Sequence, residues 1–288
     1  MSDADRGRPA SIADLLASAA RTLAESSETA WLDAEVLLCH CLDKPRSYLR
    51  AWPEHRPDAE PVAEFRSLLE RRRQGVPVAY LTGCREFWSR DFLVNADVLI
   101  PRPDTELLIE LCLSLLPADS PGKIIDLGTG SGILAITLAA ERPLARVTGT
   151  DVSPAALAIA KRNAAQFQVN NVEFVASNWF AEITESGFDL VVSNPPYIAD
   201  NDPHLQQGDV RFEPAGALVS AENGLKDIRL IAEQARAHLK PRGHLLLEHG
   251  YNQQAGVQTI LAALGYRQIA THNDLANNPR VTTGVWNS

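Results

Sequence analysis

Apolar residues near the start of the chain recur with a helical period. Ile12, Leu15, Leu16, Ala19 and Leu23 follow the i, i+3, i+4, i+7 rule and predict a helix. A second, over about 28–43, sets Trp31, Ala34, Leu38 and Cys41 on one face. A third starts at Asp58, an N-cap residue type, carries Phe65, Leu68 and Leu69, and runs to Gln74 before Gly75. Between them, Tyr48–Trp52 is a short run closed by Pro53 and Pro57, and residues 1–9 read as a frayed polar tail. Residues 1–75 are therefore expected to form a small helical domain that recognises or orients a partner. Arg71-Arg72-Arg73 at its end reads as a solvated basic turn.

The texture changes at Gly75-Val76-Pro77. Arg85–Trp88 and Asp91–Val94 are short aromatic and β-branched runs around Ser89-Arg90, which predict a β-hairpin linker over 76–98. Residues 104–116 are helical again, with Leu107, Leu108, Leu111 and Leu115 in register. From Lys123 onward strands and helices alternate. The predicted strands are 124–127, 146–151, 172–176, 188–193, 244–248, 266–271 and 281–286, with helices near 131–141, 154–168, 224–239 and 253–264. Alternation with long crossovers gives an α/β fold, a parallel sheet covered by helices on both faces. The last two strands have no helix between them and should pair antiparallel. Residues 99–288 are expected to be this domain.

Charge and composition narrow the function. The 288 residues are 45% hydrophobic and 22% charged, as in ordinary globular chains. The net charge is −9, and neither part is basic: residues 1–75 hold 11 Lys+Arg against 13 Asp+Glu, and residues 76–288 hold 16 against 23. A broad basic surface for nucleic acid is therefore excluded. No apolar run approaches the 18 residues or so of a membrane span, and Met1–Pro9 is unlike a secretory signal, so a cytoplasmic protein is expected. Cys39, Cys41, Cys84 and Cys112 show no pairing rhythm and read as reduced thiols. Cys39 and His40 point some 100° apart on a helix and no second cluster exists, so no metal is expected.

Candidate chemistry begins at the end of the first long strand, Asp126-Leu127-Gly128-Thr129-Gly130-Ser131-Gly132. Glycines there let the chain turn sharply and let a ligand approach the main chain. The spacing is GxGxG, and Ile133 stands where the dinucleotide fingerprint places the glycine after next. The next strand ends in Asp151, a carboxylate placed to accept from both ribose hydroxyls of an adenosine. Ser153 before Pro154 is the better helix cap, which leaves Asp151 for a ligand. Loop and acid together indicate an adenosine-containing ligand, with both NAD and S-adenosylmethionine open.

The fourth strand runs into Asn194-Pro195-Pro196-Tyr197, outside the carboxyl end of the sheet where ligands bind. Asn194 offers a side-chain oxygen, and the prolines make a stiff turn without N–H groups. Asn194 Oδ1 and the Pro195 carbonyl can together hold both hydrogens of an –NH2 group, and Tyr197 offers a face for a planar group. An amide nitrogen held this way can be aimed at a sulfonium methyl.

These motifs resemble a known family. Asp126–Gly132 and Asp151 look like the first two motifs of class I S-adenosylmethionine-dependent methyltransferases, and Asn194–Tyr197 is similar to the NPPY motif of enzymes that methylate planar –NH2 nitrogens. Gly75–Gly83 with Glu86-Phe87-Trp88, Ile100–Glu106 and Leu205–Pro214 resemble stretches of the peptide chain release factor glutamine methyltransferase family. The resemblance implies a Rossmann-like seven-stranded domain behind a small all-α domain that contacts the release factor. It implies methylation of N5 of the glutamine in the GGQ motif of class 1 release factors, with S-adenosylmethionine as cofactor. Carried over, Gly128, Thr129, Gly130, Ser131 and Gly132 would wrap the methionine part, Asp151 would hold the ribose, and Trp179 would pack on adenine. Asn194 would touch cofactor and substrate, with Pro195, Pro196 and Tyr197 completing the substrate pocket. The family pattern has Asp where Asn178 stands, whose carbonyl can still accept from the adenine amino group. Arg102 and Glu106 would order the loop over the cofactor, although Glu106 also suits a helix start. His249 reads as a satisfied loop histidine. A monomer with no nucleic acid or membrane partner is expected. Rival readings are methylation of a ribosomal-protein glutamine, of a nucleobase amine, or a silent adenosine-binding module.

Overall fold

A computed structural model describes residues 9–287, and residues 1–8 of the expected tail lie outside the described residues. The chain forms two compact units, one reaching to Gly83 and joined by Gln206–Phe212, the other holding Cys84–Leu205 and Glu213 onward.

The first unit is helical. Its elements are α1 (Ile12–Leu23), α2 (Ala30–Leu42), α3 (Arg46–Ala51), α4 (Ala59–Arg73) and α5 (Val78–Thr82). Helix α1 starts as its sequence dictates. Ser11 accepts from the Asp14 N–H at 3.2 Å and Asp14 returns the bond to the Ser11 N–H at 3.0 Å, a reciprocal capping box. Asp58 occupies the N-cap of α4 but makes no side-chain cap bond. The buried faces meet in one core that includes Ile12, Leu16, Leu37, Leu38, Phe65 and Leu81. Leu81 explains why this unit extends to Gly83 beyond the expected boundary at 75: α5 packs on the helical core.

Arg71-Arg72-Arg73 is not a uniformly solvated turn. Arg72 is only 7% exposed. Its Nε donates to Asp33 Oδ2 at 2.7 Å and its Nη1 to Asp209 Oδ1 at 2.7 Å. Ser27 and Thr29 hydroxyls donate to the same Asp33 carboxylate. Gly75 follows with φ +97, a left-handed conformation that favours glycine, and the Arg211 guanidinium lies where a Cβ would stand.

The second unit opens with a hairpin, β1 (Cys84–Phe87) and β2 (Arg90–Leu93), turned through Trp88 and Ser89, both at positive φ. Phe87 and Phe92 are buried in the main core, so the hairpin belongs to this unit and is not a free linker. Next come α6 (Glu106–Leu115), β3 (Lys123–Leu127), α7 (Ile133–Glu141), β4 (Arg146–Asp151), α8 (Pro154–Gln166), β5 (Val172–Ala176) and β6 (Phe188–Ser193). The rest is α9 (Ala221–Gly224), α10 (Lys226–His238), β7 (Leu239–Glu248), α11 (Gln254–Ala263), β8 (Arg267–Asn273) and β9 (Pro279–Val285).

The seven-stranded sheet has the order β5-β4-β3-β6-β7-β9-β8. Strands β3 to β7 run parallel, and β9 pairs antiparallel with both β7 and β8. The expected antiparallel pair is present, with β9 inserted next to β7 and β8 at the edge. Strand order reverses between β3 and β6, which opens a crevice at their carboxyl ends. Separate apolar clusters back the two faces, one with α6 and α7 and the other with α10 and α11. Among the described residues, no helix is long and apolar enough to cross a membrane.

Candidate active site

The parallel strands bring the sequence motifs to one edge. Leu127 is in register with Ser193, so Gly128 and Asn194 leave neighbouring strands side by side. Ser193 Oγ donates to the Leu127 carbonyl at 2.6 Å and ties the two strand ends together. On the other flank Leu127 is level with Thr150, and Asp151 with Ala176, which places Asp151 and the Ser177–Trp179 turn beside the glycine loop.

A cavity of about 210 Å³ lies there, lined among others by Gly128, Gly130, Asp151, Asn178, Trp179 and Asn194. A smaller space of about 40 Å³ adjoins it, with Gly128, Gly130 and Asn194 as shared walls and Thr105, Thr129 and Ser131 as further lining. The three glycines of the loop have different tasks. Gly130 has φ +55, and a Cβ there would meet no atom within 4 Å. Gly128 has φ +73 and lies against the Trp179 indole, 3.3 Å from where its Cβ would be. Gly132 lines neither cavity. It caps α7 at φ +86, and a Cβ would press on Ile136 Cδ1 at 2.7 Å and Ala160 Cβ at 3.1 Å, so it serves helix packing.

Asp151 is less free than the sequence suggests. Ser153 caps α8, accepting from the Ala156 N–H at 3.2 Å, as expected. Asp151 nevertheless accepts from the Gly130 N–H at 2.9 Å and the Ser153 N–H at 2.9 Å, one on each oxygen. Each oxygen keeps a second lone pair for a ligand. The carboxylate thus fixes the loop and also faces the cavity. Asp126 is fully buried below it and accepts from Thr129 Oγ1 at 2.6 Å and the Ala135 N–H at 3.2 Å. Burial raises its carboxyl to about 7.

The Asn194–Tyr197 segment divides by function. Asn194 lines both spaces and Pro196 the larger, while Pro195 is buried behind them. Asn194 Nδ2 donates to Thr105 Oγ1 at 3.2 Å, which leaves Oδ1 as the open end of the amide. Tyr197 lines neither space. Its hydroxyl donates to Glu248 Oε1 at 3.3 Å, and burial with the nearby Glu248 pushes its pKa up. Its carbonyl accepts from Gln253 Nε2 at 2.9 Å and sits so close to Gly224 that a Cβ there would be 2.0 Å away.

Comparison with known proteins now bears on this site. The family described as "PrmC N-terminal domain" matches residues 14–83, and "Methyltransferase small domain" matches residues 105–224. A release factor glutamine methyltransferase of Shewanella oneidensis is 50% identical over 275 residues, covering 96% of each chain. This chain belongs to the release factor glutamine methyltransferase family. A second relative of that name, from Escherichia coli, is 45% identical over 260 residues, which cover 90% of this chain and 94% of its own. A methyltransferase structure from Pyrococcus furiosus shares the fold, with a TM-score of 0.53 at 16% identity, over 77% of this chain and 98% of that one.

In this family member Asn163 supports the site without a motif signal, and Arg102, Glu106 and Glu213 show what their motif stretches hold. Asn163 is fully buried on α8. Its Oδ1 accepts from the Leu93 N–H at 2.8 Å and its Nδ2 donates to the Ser131 carbonyl at 2.8 Å, so one side chain locks hairpin to glycine loop. Glu213 accepts from the Ile100 N–H at 3.0 Å and pairs with Arg102, while Glu106 accepts from the Trp88 N–H at 3.0 Å. Arg102 and Glu106 therefore order the chain around residues 88–106. His249 is fully buried, with Nδ1 bonded to the Gly250 carbonyl and Nε2 to Thr282 Oγ1. A polar asparagine inside the apolar pattern of α8 is the signal that could have marked Asn163.

Proposed function

We propose that this chain transfers a methyl group from S-adenosylmethionine to N5 of the glutamine in the GGQ motif of class 1 peptide chain release factors. Asn194 carries the reading: it stands at the junction of the two spaces with Nδ2 engaged and Oδ1 open. An open amide oxygen accepts from an –NH2 group and rejects a carbonyl. The residues present suit the cofactor. The Gly130 turn meets no obstacle, a carboxylate faces the cavity at Asp151, and an indole lines it at Trp179.

The bound cofactor supplies a methyl on a positively charged sulfur. Gly128, Thr129, Gly130 and Ser131 would hold its methionine part in the turn that Gly132 closes, Asp151 would accept from the ribose hydroxyls, and Trp179 with Asn178 would take the adenine. Asn194 Oδ1 and the Pro195 carbonyl hold the two amide hydrogens and aim the nitrogen lone pair. With the nitrogen so held, its lone pair would accept the methyl that the cofactor supplies, and the extra proton would pass from nitrogen to water. Orientation of this kind contributes up to about 7–11 kcal/mol. The helical unit recognises the release factor, and the enzyme works as a cytoplasmic monomer without nucleic acid, membrane or metal.

Methyl transfer from labelled cofactor tests this. A release factor should be labelled, its GGQ Gln→Ala variant should not, and neither naked DNA nor a ribosomal protein should reach a comparable rate. Comparable labelling of DNA would instead support the nucleobase reading.

A further inference from the structure

Two buried side chains next to Asn194 are left without a task by the reaction above. Thr105 is fully buried at the start of α6, and Glu248 is 1% exposed at the end of β7. Thr105 Oγ1 accepts from Asn194 Nδ2 at 3.2 Å. A hydroxyl that accepts must send its single proton elsewhere. The Thr105 hydroxyl lies near enough to the Glu248 carboxyl to favour its charged form, and no hydrogen bond joins the two among the described residues. Glu248 Oε1 accepts from Tyr197 at 3.3 Å, and Oε2 is buried with no hydrogen-bond partner among the described residues.

We infer that Glu248, acting through Thr105, fixes which end of the Asn194 amide faces the substrate. An amide presents an acceptor at one end and a donor at the other, and its network decides which way it points. An ionised Glu248 only accepts. The Thr105 proton then points to Glu248, Oγ1 accepts from Asn194 Nδ2, and Asn194 Oδ1 is turned to the reacting nitrogen. A protonated Glu248 can donate to Thr105. Thr105 can then donate to Asn194, and the amide turns to show –NH2 to another –NH2. The same carboxylate holds Tyr197, so it governs both ends of the Asn194–Tyr197 segment.

The groups facing Glu248 decide when this switch titrates. Burial raises its carboxyl to about 7, with Asp104 adding to the rise. The Thr105 and Tyr197 hydroxyls and the Arg280 guanidinium oppose it. Arg280 itself pairs with Asp104 and Asp274, each at 3.2 Å, and Arg102 faces Tyr197. Thr105 and Glu248 are positioning residues, not groups that touch the reacting atoms.

This inference rests on the proposed glutamine methylation, so its test needs an activity readout and one independent of activity. In steady-state assays on release factor, Thr105→Val should lower kcat by about 10–100-fold, with cofactor affinity held within about threefold. Thr105→Ser should restore most of the rate. Wild-type kcat should rise with pH through about 7, and Glu248→Gln should flatten that rise. The double variant should be little worse than the worse single one, because both changes cut one path. In NMR spectra, the Asn194 side-chain NH2 signal, assigned by its loss in Asn194→Asp, should shift with pH near 7 in the wild type and not in Glu248→Gln. Wild-type kcat in Thr105→Val, additive effects, or an unchanged NH2 titration in Glu248→Gln would overturn the inference. If wild-type enzyme fails to methylate release factor, the function reading fails, and the NH2 titration still decides this one.

Discussion

The glycine loop and the helical unit show two ways of burying polar chemistry. At the sheet edge the polar groups are held by the backbone. Asp151 takes the Gly130 and Ser153 N–H groups, and three loop residues, Gly128, Gly130 and Gly132, adopt positive φ. Such conformations need glycine at alternate positions of one short stretch, so they leave a motif. In the helical unit the polar group is held by side chains far apart in sequence. Arg72 meets Asp33 across 39 positions and Asp209 across 137. Any charged residue at the right helix face would look the same, so nothing marks it. A site built on backbone geometry can be read from the chain, whereas one built on side-chain meetings cannot.

Breaking the ion network should have the largest effect. Arg72→Met leaves Asp33 buried without its cation and should cost about 3–5 kcal/mol. Hydrogen exchange on α2 and α4 would locate the loss in the helical unit. Adding Asp33→Leu should recover part of it, because a well-packed apolar pair replaces a buried ion pair at little cost.

The corresponding cut at the sheet edge acts on rate. Asn194→Ala should lower methyl transfer about 10²–10³-fold, or about 2.7–4 kcal/mol of transition-state stabilisation. Calorimetry should find cofactor affinity within about tenfold. A complete loss of cofactor binding would make Asn194 chiefly a cofactor residue.

Within the loop, Gly132→Ala and Gly130→Ala separate packing from ligand approach. Gly132→Ala meets Ile136 and Ala160 and should cost about 1–3 kcal/mol of stability beyond the left-handed penalty. Gly130→Ala meets nothing and should cost only that penalty, about 1–2 kcal/mol. Urea denaturation of the two variants compares them directly.

The smallest effects should be alike in both regions. Ser11→Ala and Ser153→Ala each remove one N-cap and should each cost about 1 kcal/mol. Unequal losses would show that the two units do not share the same local rules.

The same division explains how much was legible. The period of Ile12, Leu15, Leu16, Ala19 and Leu23 marks the buried face of α1, and the alternation after Lys123 gives the seven strands of the sheet, because hydrophobic periods are local. The helical boundary near 75 misses α5, whose few residues join the core through Leu81. At the site, Gly128, Gly130, Asp151, Trp179 and Asn194 meet around one cavity as their motifs suggest. Tyr197 stands outside it, bound to Glu248. The bonds of Asn194 to Thr105 and of Tyr197 to Glu248 were out of reach because they join residues 89 and 51 positions apart, and only the fold brings those ends together.

Mass spectrometry of a release factor incubated with this enzyme and S-adenosylmethionine tests the central claim most directly. One added methyl group, mapped by fragmentation to the side chain of the GGQ glutamine and absent without enzyme, is the expected result. An unmodified glutamine, or a methyl placed on another residue, would contradict it.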